Sequence, residues 1–241
     1  MQSPGPYTTS NTFLDLRNGD SMGQEEFHRT YQRSPRDFRA ELIDGLVFVR
    51  EPLTELHADT SVRLGSIFDA YRADTSGVQV FSEVSVILGQ KDEVQPDLVL
   101  RILPAYQGQT EDHWNKTGKV KGPYVKGGPE LVAEIAYSSR SMDLHIKRHR
   151  YEAAGVLEYL VVCLNTKKIY WFDLKKGKEL IRQNGIIRSK IFPGLWIHEA
   201  ALFDMDYKLS MSTLQKGLAS AEHKAFIAML KSKKQIEYTG K

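Results

Sequence analysis

The sequence has little of what secreted and membrane proteins are built from. Only one of its 241 residues is a cysteine, Cys163, so a disulfide within the chain is excluded and a reducing compartment is expected. No stretch approaches the ~20 consecutive apolar residues that a membrane helix needs. The first 25 residues also lack the apolar core of a signal peptide. These absences predict a soluble, cytoplasmic protein that does not insert into membranes.

The sequence also lacks internal repeats, a clear central linker and a strong charge of one sign. Its formal net charge of +3 permits an anionic partner without requiring one. With 41% hydrophobic residues, the chain is long enough for one sizeable core. We therefore expect a single α/β domain over residues 22–234. A flexible arm rich in Ser, Gly, Thr, Asn and Pro (1–21) would precede it, and a short tail (235–241) would follow.

Hydrophobic periodicity predicts the elements of the first half. Apolar residues between Leu56 and Tyr71 recur at helical spacing, which indicates one amphipathic helix. Residues 78–88 alternate between apolar and other positions, as one strand of a hairpin does, and residues 94–102 form the returning strand. Residues 103–128 form a long connection, and a structureless loop of that length is usually functional or disordered.

Two acids interrupt strands that otherwise have the composition of a core. Asp97 lies in the returning strand, and Glu134 lies in the middle of the apolar run LVAEIA. Each occupies the face opposite the most apolar positions, so the two carboxylates converge if the strands are neighbours. Two carboxylates at one point repel each other unless a proton or cation intervenes. Oxygen ligands of this kind suit Mg²⁺, so the pair predicts a metal site.

Lys147 is the third member of the predicted site. It lies on the helix that follows the Glu134 strand and shares a helix face with Leu144 and Tyr151. A lysine beside two acids and a metal-bound water can orient that water and stabilise developing charge. The combination is typical of phosphodiester hydrolysis.

Each of these residues also has an ordinary structural interpretation. Asp97 follows Pro96 and could cap a turn, and Glu134 would face solvent if its strand lay at a sheet edge. Lys147 could pair with Asp143 across one turn of an exposed helix. On the residues alone, these alternatives stay open.

An ordered set of motifs resembles a known family. The Uma-type "putative restriction endonucleases" (DUF820-like), of the PD-(D/E)XK nuclease superfamily, share the segments GLVFVREP, QPDLVL, GPELVAEIAYSS, DLHIKRHRYEAAGVLEYLVV and FPGLW in this order. The resemblance covers roughly residues 22–230. It implies a restriction-endonuclease-like αβββαβ core with flanking helices. It also implies cleavage of double-stranded DNA that depends on Mg²⁺, with Mn²⁺ as a possible substitute.

The resemblance also implies roles for individual residues. Asp97 and Glu134 would be metal ligands, Lys147 the catalytic lysine, and Glu41 and His57 supporting residues. For the last two the alternatives are turn chemistry and an ordinary histidine at a helix start.

One position departs from the superfamily pattern. The usual lysine lies two residues after the second acid, where this chain has Ala136. A small residue there leaves space for Lys147 to reach in from the helix.

Two other functional classes compete with an endonuclease. A non-catalytic DNA-binding or assembly protein could retain the nuclease fold, and its acid–lysine cluster would be splayed or blocked. A hydrolase of small phosphoesters would have a closed pocket, too narrow for a duplex. Because cutting a duplex requires two strand scissions, we expect a homodimer if the protein is an endonuclease.

Overall fold

The computed structural model describes residues 15–115, 122–137 and 139–238. The helices are α1 (Gln24–Tyr31), α2 (Glu55–Ala73), α3 (Arg148–Ala153), α4 (Glu199–Phe203), α5 (Tyr207–Leu218) and α6 (Ala221–Tyr238). The strands are β1 (Ala40–Ile43), β2 (Leu46–Val49), β3 (Val78–Ser82), β4 (Val86–Gly89), β5 (Asp92–Val94), β6 (Leu98–Ile102), β7 (Glu111–Asn115), β8 (Gly122–Lys126), β9 (Leu131–Ala136), β10 (Glu158–Cys163), β11 (Lys168–Asp173), β12 (Lys178–Glu179), β13 (Arg182–Gln183), β14 (Ile186–Arg188) and β15 (Trp196–His198). Among these helices none is both long and apolar enough to cross a bilayer.

The central sheet has the strand order β12-β11-β10-β9-β6-β3. Strand β9 runs parallel to β10 and antiparallel to β6, and β3 pairs antiparallel with β6. In chain order, α2, β3, β6, β9, α3 and β10 give the expected αβββαβ core. The expected mixed fold with flanking helices is therefore confirmed.

The two faces of this sheet are covered by different elements. Leu98 and Ala133 point into the larger apolar cluster, to which α2, α5 and α6 contribute. Val99 points to the opposite face, under a second sheet and α3. Because side chains alternate along a strand, Asp97 and Glu134 lie on this second face.

The predicted hairpin of residues 78–88 and 94–102 is divided between two sheets, so the prediction of two unbroken strands is wrong. Its base forms β3 and β6 of the central sheet, whereas its tip forms β4 and β5 of a second sheet ordered β2-β1-β5-β4-β8-β7. Glu83 breaks the first strand with a left-handed φ of 50°. Pro96 breaks the second, because it has no N–H to continue the ladder. The chain therefore turns a corner immediately before Asp97.

The long connection of residues 103–128 is more ordered than predicted. It contains a 3₁₀ turn (Pro104–Tyr106) and a hairpin of β7 and β8 that extends the second sheet. Residues 116–121, between these strands, lie outside the described residues.

The predicted ends of the domain differ from the structure where they can be compared. Within the predicted arm, Leu16 is buried against Phe27 and Val47, so residues 15–21 belong to the folded domain. At the other end α6 continues through Tyr238, past the predicted boundary at Lys234. Residues 1–14 and 239–241 lie outside the described residues.

Candidate active site

The two predicted acids meet at the corner where the hairpin leaves the central sheet. Leu98 pairs with Ala133 across β6 and β9, which brings the preceding Asp97 beside Glu134. The backbone N–H of Asp97 donates to Glu134 Oε2 over 3.4 Å, and the N–H of Ile135 donates to Asp97 Oδ2 over 2.7 Å. Both acids are only 3% exposed. Since β9 is an interior strand, Glu134 is not at a sheet edge.

Lys147 reaches this pair from a widened helical turn. Residues Met142–Lys147 form a π-helical turn that leads directly into α3. Short π-helical insertions are frequent at functional sites. The Nζ atom of Lys147 lies 2.8 Å from Glu41 Oε2 and 3.0 Å from Glu134 Oε1. Lys147 thus points inward, as its shared face with Tyr151 predicts.

The alternative partner of Lys147 is part of the same cluster. Asp143 Oδ1 lies 3.8 Å from Lys147 Nζ, but Asp143 is only 2% exposed, so this contact is not a surface ion pair. The hydroxyl of Ser139 donates to Asp143 Oδ2 over 2.6 Å, and that of Tyr159 donates to the Asp143 carbonyl over 3.1 Å. Lys147 therefore contacts both the candidate catalytic acid Glu134 and its helix neighbour Asp143.

The two supporting residues lie on either side of the acids. Glu41, from β1, accepts the N–H of Gln95 through Oε1 over 2.7 Å while Oε2 contacts Lys147. His57 lies in the first turn of α2, and its Nε2 is 3.2 Å from Asp97 Oδ2. The other ring nitrogen, Nδ1, is buried and has no hydrogen-bond partner in the described part of the chain. All five predicted site residues are therefore linked in one cluster.

Two further side chains belong to the cluster. Arg50, just after β2, donates to Asp97 Oδ1 over 3.2 Å and to the Gln95 carbonyl over 3.0 Å. Arg50 was not predicted from the sequence, because an arginine after an apolar strand is typical of a solvated strand end. The hydroxyl of Tyr151 donates to Glu134 Oε1 over 2.7 Å. Its inward direction was predicted, but its bond to the acid was not.

The surroundings push the pKa values of the two central acids apart. Burial raises the pKa of Glu134 to about 8, although the charge of Lys147 opposes this. Burial also acts to raise the pKa of Asp97. There, however, the hydrogen bond and charge of His57 and the charge of Arg50 outweigh it, and the pKa is held below its usual value.

The lysine at the centre stays protonated. Burial alone would lower the pKa of Lys147, but the charges of Glu134, Glu41 and Asp143 outweigh it and raise the pKa above its ordinary value. Around the permanent cations Arg50 and Lys147 the cluster holds more carboxyl groups than cations. They are Glu41, Asp97, Glu134 and Asp143. Carboxyl groups therefore outnumber the cations of the site, and a bound divalent cation would favour their charged form.

Asp97 and Glu134 are the residues that could hold such a cation. Mg²⁺ prefers oxygen ligands and commonly takes one or two carboxylates, with waters and substrate phosphate completing its shell. The long 3.4 Å contact leaves Glu134 Oε2 with lone-pair capacity. Within residues 15–115, 122–137 and 139–238, no group of three or more His, Cys, Asp or Glu side chains is arranged to hold a metal. The donor chemistry therefore fits Mg²⁺ bound partly by water and substrate, and does not fit a closed protein cage.

The fold and the cluster define a nuclease-like α+β protein with buried carboxylates around one lysine. A family model described as "Uma2: Putative restriction endonuclease" matches residues 24–203, three quarters of the chain, and the chain belongs to this family. The resemblance stated from the motifs is thereby confirmed. The match ends at Phe203, so α5 and α6 lie outside it.

A solved structure shares the fold. It is a crystal structure titled as a putative nuclease belonging to DUF820 from Anabaena variabilis ATCC 29413. It is 11% identical in sequence, superposes with a TM-score of 0.57, and covers 73% of this chain and 96% of its own. At this identity the likeness concerns the fold alone. No curated protein matches the chain.

Proposed function

We propose that the protein is a Mg²⁺-dependent endodeoxyribonuclease that hydrolyses phosphodiester bonds of double-stranded DNA, with Mn²⁺ able to replace Mg²⁺. The observation that carries this proposal is the convergence of Asp97, Glu134 and Lys147 in one buried cluster. Membership of a family described as restriction endonucleases supports it.

In this proposal Asp97 and Glu134 hold the divalent cation. The cation, when bound, would supply Lewis acidity and lower the pKa of a water molecule. Lys147 stays protonated, so it acts by orienting the attacking water and by stabilising the charge that develops on the phosphate. Glu41 helps to hold the Lys147 ammonium beside Glu134, and His57 fixes the orientation of the Asp97 carboxylate.

The proposed partner is duplex DNA, bound through basic side chains near the site. Arg140 and Lys167 are exposed beyond the carboxyl ends of β9 and β10, and Lys168 stacks on the Tyr170 ring. Basic residues of segment 116–126 are further candidates for phosphate contacts, and residues 116–121 of this segment lie outside the described residues. Each phosphate that these cations neutralise would contribute roughly 0.9 to the slope of log affinity against log salt. A homodimer stays a prediction, which sedimentation with and without DNA would test.

The direct test combines metal binding with cleavage. Calorimetry with Mg²⁺ or Mn²⁺ should detect one divalent cation per chain, and Asp97→Asn should abolish that binding. Supercoiled plasmid should be nicked or linearised with either metal and left intact with a chelator. Equal metal binding by the wild type and Asp97→Asn, or cleavage that survives the chelator, would contradict the proposal.

One observation favours a second candidate, a DNA-binding or assembly protein without catalysis. Arg50 and His57 both engage Asp97, and Lys147 and Tyr151 both engage Glu134, so protein donors block much of the cluster. This candidate predicts salt-dependent DNA binding with no binding of Mg²⁺ or Mn²⁺. The same calorimetry distinguishes it from the nuclease.

A further inference from the structure

Arg50 occupies the one Asp97 oxygen that is otherwise free. Oδ2 accepts the fixed N–H of Ile135 over 2.7 Å and lies 3.2 Å from His57 Nε2. Within the described ranges, Arg50 is the only hydrogen-bond donor to Oδ1, at 3.2 Å. Backbone and imidazole therefore set the orientation of the carboxylate without Arg50. At Asp97 its guanidinium neutralises Oδ1, and it also donates to the Gln95 carbonyl.

Arg50 is also the more solvent-exposed member of its pair with Asp97. Its side chain is 17% exposed, whereas that of Asp97 is 3% exposed. Charge from Glu41, Glu134 and Glu83 acts on the guanidinium together with charge from Asp97. An anionic substrate that approaches Asp97 from solvent would therefore meet Arg50 first. The planar guanidinium suits this position, since it can donate two parallel hydrogen bonds to one phosphate.

We infer that Arg50 has two positions in the reaction cycle. In the metal-free protein it is the counter-cation of Asp97 Oδ1. When Asp97 is needed as a metal ligand, Arg50 leaves that oxygen and donates to the phosphodiester of the bound DNA. This inference rests on the proposed function, and it assigns Arg50 as a phosphate-binding residue of that site.

The inference predicts opposite changes in metal affinity and in DNA affinity. In calorimetry without DNA, Arg50→Met should bind Mn²⁺ about fivefold more tightly, since no cation then competes for Asp97. At saturating Mn²⁺, its KM for duplex DNA should rise about tenfold, because a charge-assisted bond to phosphate is lost. A merely damaged fold would weaken both.

Arg39 provides a matched control for lost charge. It is exposed, its carbonyl accepts the backbone N–H of Arg50 over 2.9 Å, and its guanidinium donates to backbone carbonyls outside the cluster. Arg39→Met removes one positive charge close to the same strand end without touching Asp97. It should leave both the Mn²⁺ affinity and the KM unchanged.

Arg50→Lys decides the question if Arg50→Met fails to fold. A lysine keeps a cation beside Asp97 but lacks the forked donor pair, so Mn²⁺ affinity should stay within about twofold of wild type while the KM rises. Unchanged or weaker Mn²⁺ binding by Arg50→Met, with wild-type binding intact, would overturn the inference alone. An unchanged KM in both variants would overturn the phosphate contact. Absence of Mn²⁺ binding by the wild type would instead contradict the proposed function, and the role of Arg50 with it.

Discussion

Glu134 and Glu158 are buried carboxyl groups on neighbouring parallel strands, and their hydrogen-bond partners differ in kind. Glu158, the first residue of β10, is 0% exposed. It accepts from Trp171 Nε1 over 3.0 Å and from Ser189 Oγ over 2.7 Å, and it also accepts two backbone N–H groups, of Lys190 over 2.7 Å and Ile191 over 3.2 Å. All four donors are neutral, and two of them belong to the backbone of a loop that packs on the sheet.

The partners of Glu134 differ, because two of them are side chains of the cluster and only one donor is a backbone group. Lys147 donates from a charged ammonium, Tyr151 donates from a neutral hydroxyl, and the third donor, the N–H of Asp97, is distant. Neutral donors on a fixed loop saturate Glu158 and attach that loop to the sheet. One charged side-chain donor, with a backbone donor as distant as 3.4 Å, leaves Glu134 able to exchange a partner for a cation. The kind of donor, and not burial alone, separates a structural carboxyl group from a candidate ligand.

The sharpest test of this comparison replaces Glu134 by its isostere. Glu134→Gln should lower cleavage at least about 10³-fold, since a metal ligand and the charge that goes with it are lost. Stability of the metal-free protein should change by less than about 1 kcal/mol. Burial raises the pKa of Glu134, which favours the protonated acid in the metal-free protein, and glutamine resembles that acid. Plasmid cleavage and urea unfolding measure the two effects.

Glu158→Gln is the matched variant. In contrast to Glu134→Gln, it should lower the stability of the protein and leave its cleavage activity nearly unchanged. The new amide NH₂ would face N–H donors that now meet a carboxylate oxygen, and the free energy of unfolding should fall by about 2–4 kcal/mol. Cleavage per folded molecule should stay within about twofold of wild type, because the side-chain hydrogen bonds of Glu158 in the described part of the chain go to Trp171 and to the loop of Ser189, Lys190 and Ile191, outside the cluster. If both variants lose cleavage in proportion to stability, the comparison between the two acids fails.

Lys147→Met tests whether the charged donor of Glu134 has a role beyond ion pairing. Cleavage should fall on the order of 10²-fold or more if Lys147 orients the attacking water and stabilises the charge that develops on the phosphate. Arg148→Met is the control, because its guanidinium lies over the Phe172 ring, 4.1 Å from the centroid, and outside the cluster. Circular dichroism should show both variants folded at the assay temperature. If Lys147→Met lowers only the melting temperature, the ion pairs with Glu134, Glu41 and Asp143 are structural.

Much of the fold could be predicted from local patterns. Periods of two and of three to four residues indicated the strands and α2, because burial of one face imposes those spacings. The division of the hairpin was not predicted. Alternation of side chains continues through Glu83 and Pro96, and only the pairing of β4 and β5 with a second sheet distinguishes the two halves.

The candidate site was predictable only in part for a similar reason. Alternation placed Asp97 and Glu134 on one face, but Glu158 also stands in an apolar run and has no role in the cluster. The order of the family's motifs, and not burial, distinguished Asp97 and Glu134 from Glu158. Arg50 was missed because its contact with Asp97 spans 47 positions of the chain, and no local pattern encodes that meeting.

His57→Gln should have a smaller effect than loss of either acid. His57 is one of two donors to Asp97 Oδ2, and the N–H of Ile135 still fixes that oxygen. We expect a fall in cleavage of about tenfold, since one hydrogen bond to a charged group is removed. His223→Gln is the control, because buried His223 contacts Thr75 and the Tyr71 ring in the larger apolar cluster, on the other face of the central sheet. A loss greater than that of Asp97→Asn would make His57 a base or a ligand.

The smallest expected effect separates two neighbouring tyrosines. The rings of Tyr151 and Tyr159 lie 4.9 Å apart, but the Tyr151 hydroxyl donates to Glu134 Oε1 and the Tyr159 hydroxyl to the Asp143 carbonyl. Tyr151→Phe should lower cleavage about fivefold, because Glu134 keeps Lys147 but loses its neutral donor. It should also shift the Mn²⁺ affinity. Tyr159→Phe removes the same atom from the same apolar cluster, so it should cost comparable stability without changing Mn²⁺ affinity. Equal effects of the two variants on Mn²⁺ binding would show that the hydroxyl of Tyr151 acts only through packing. The partners of Glu134 would then be less exchangeable than the contrast between Glu134 and Glu158 implies.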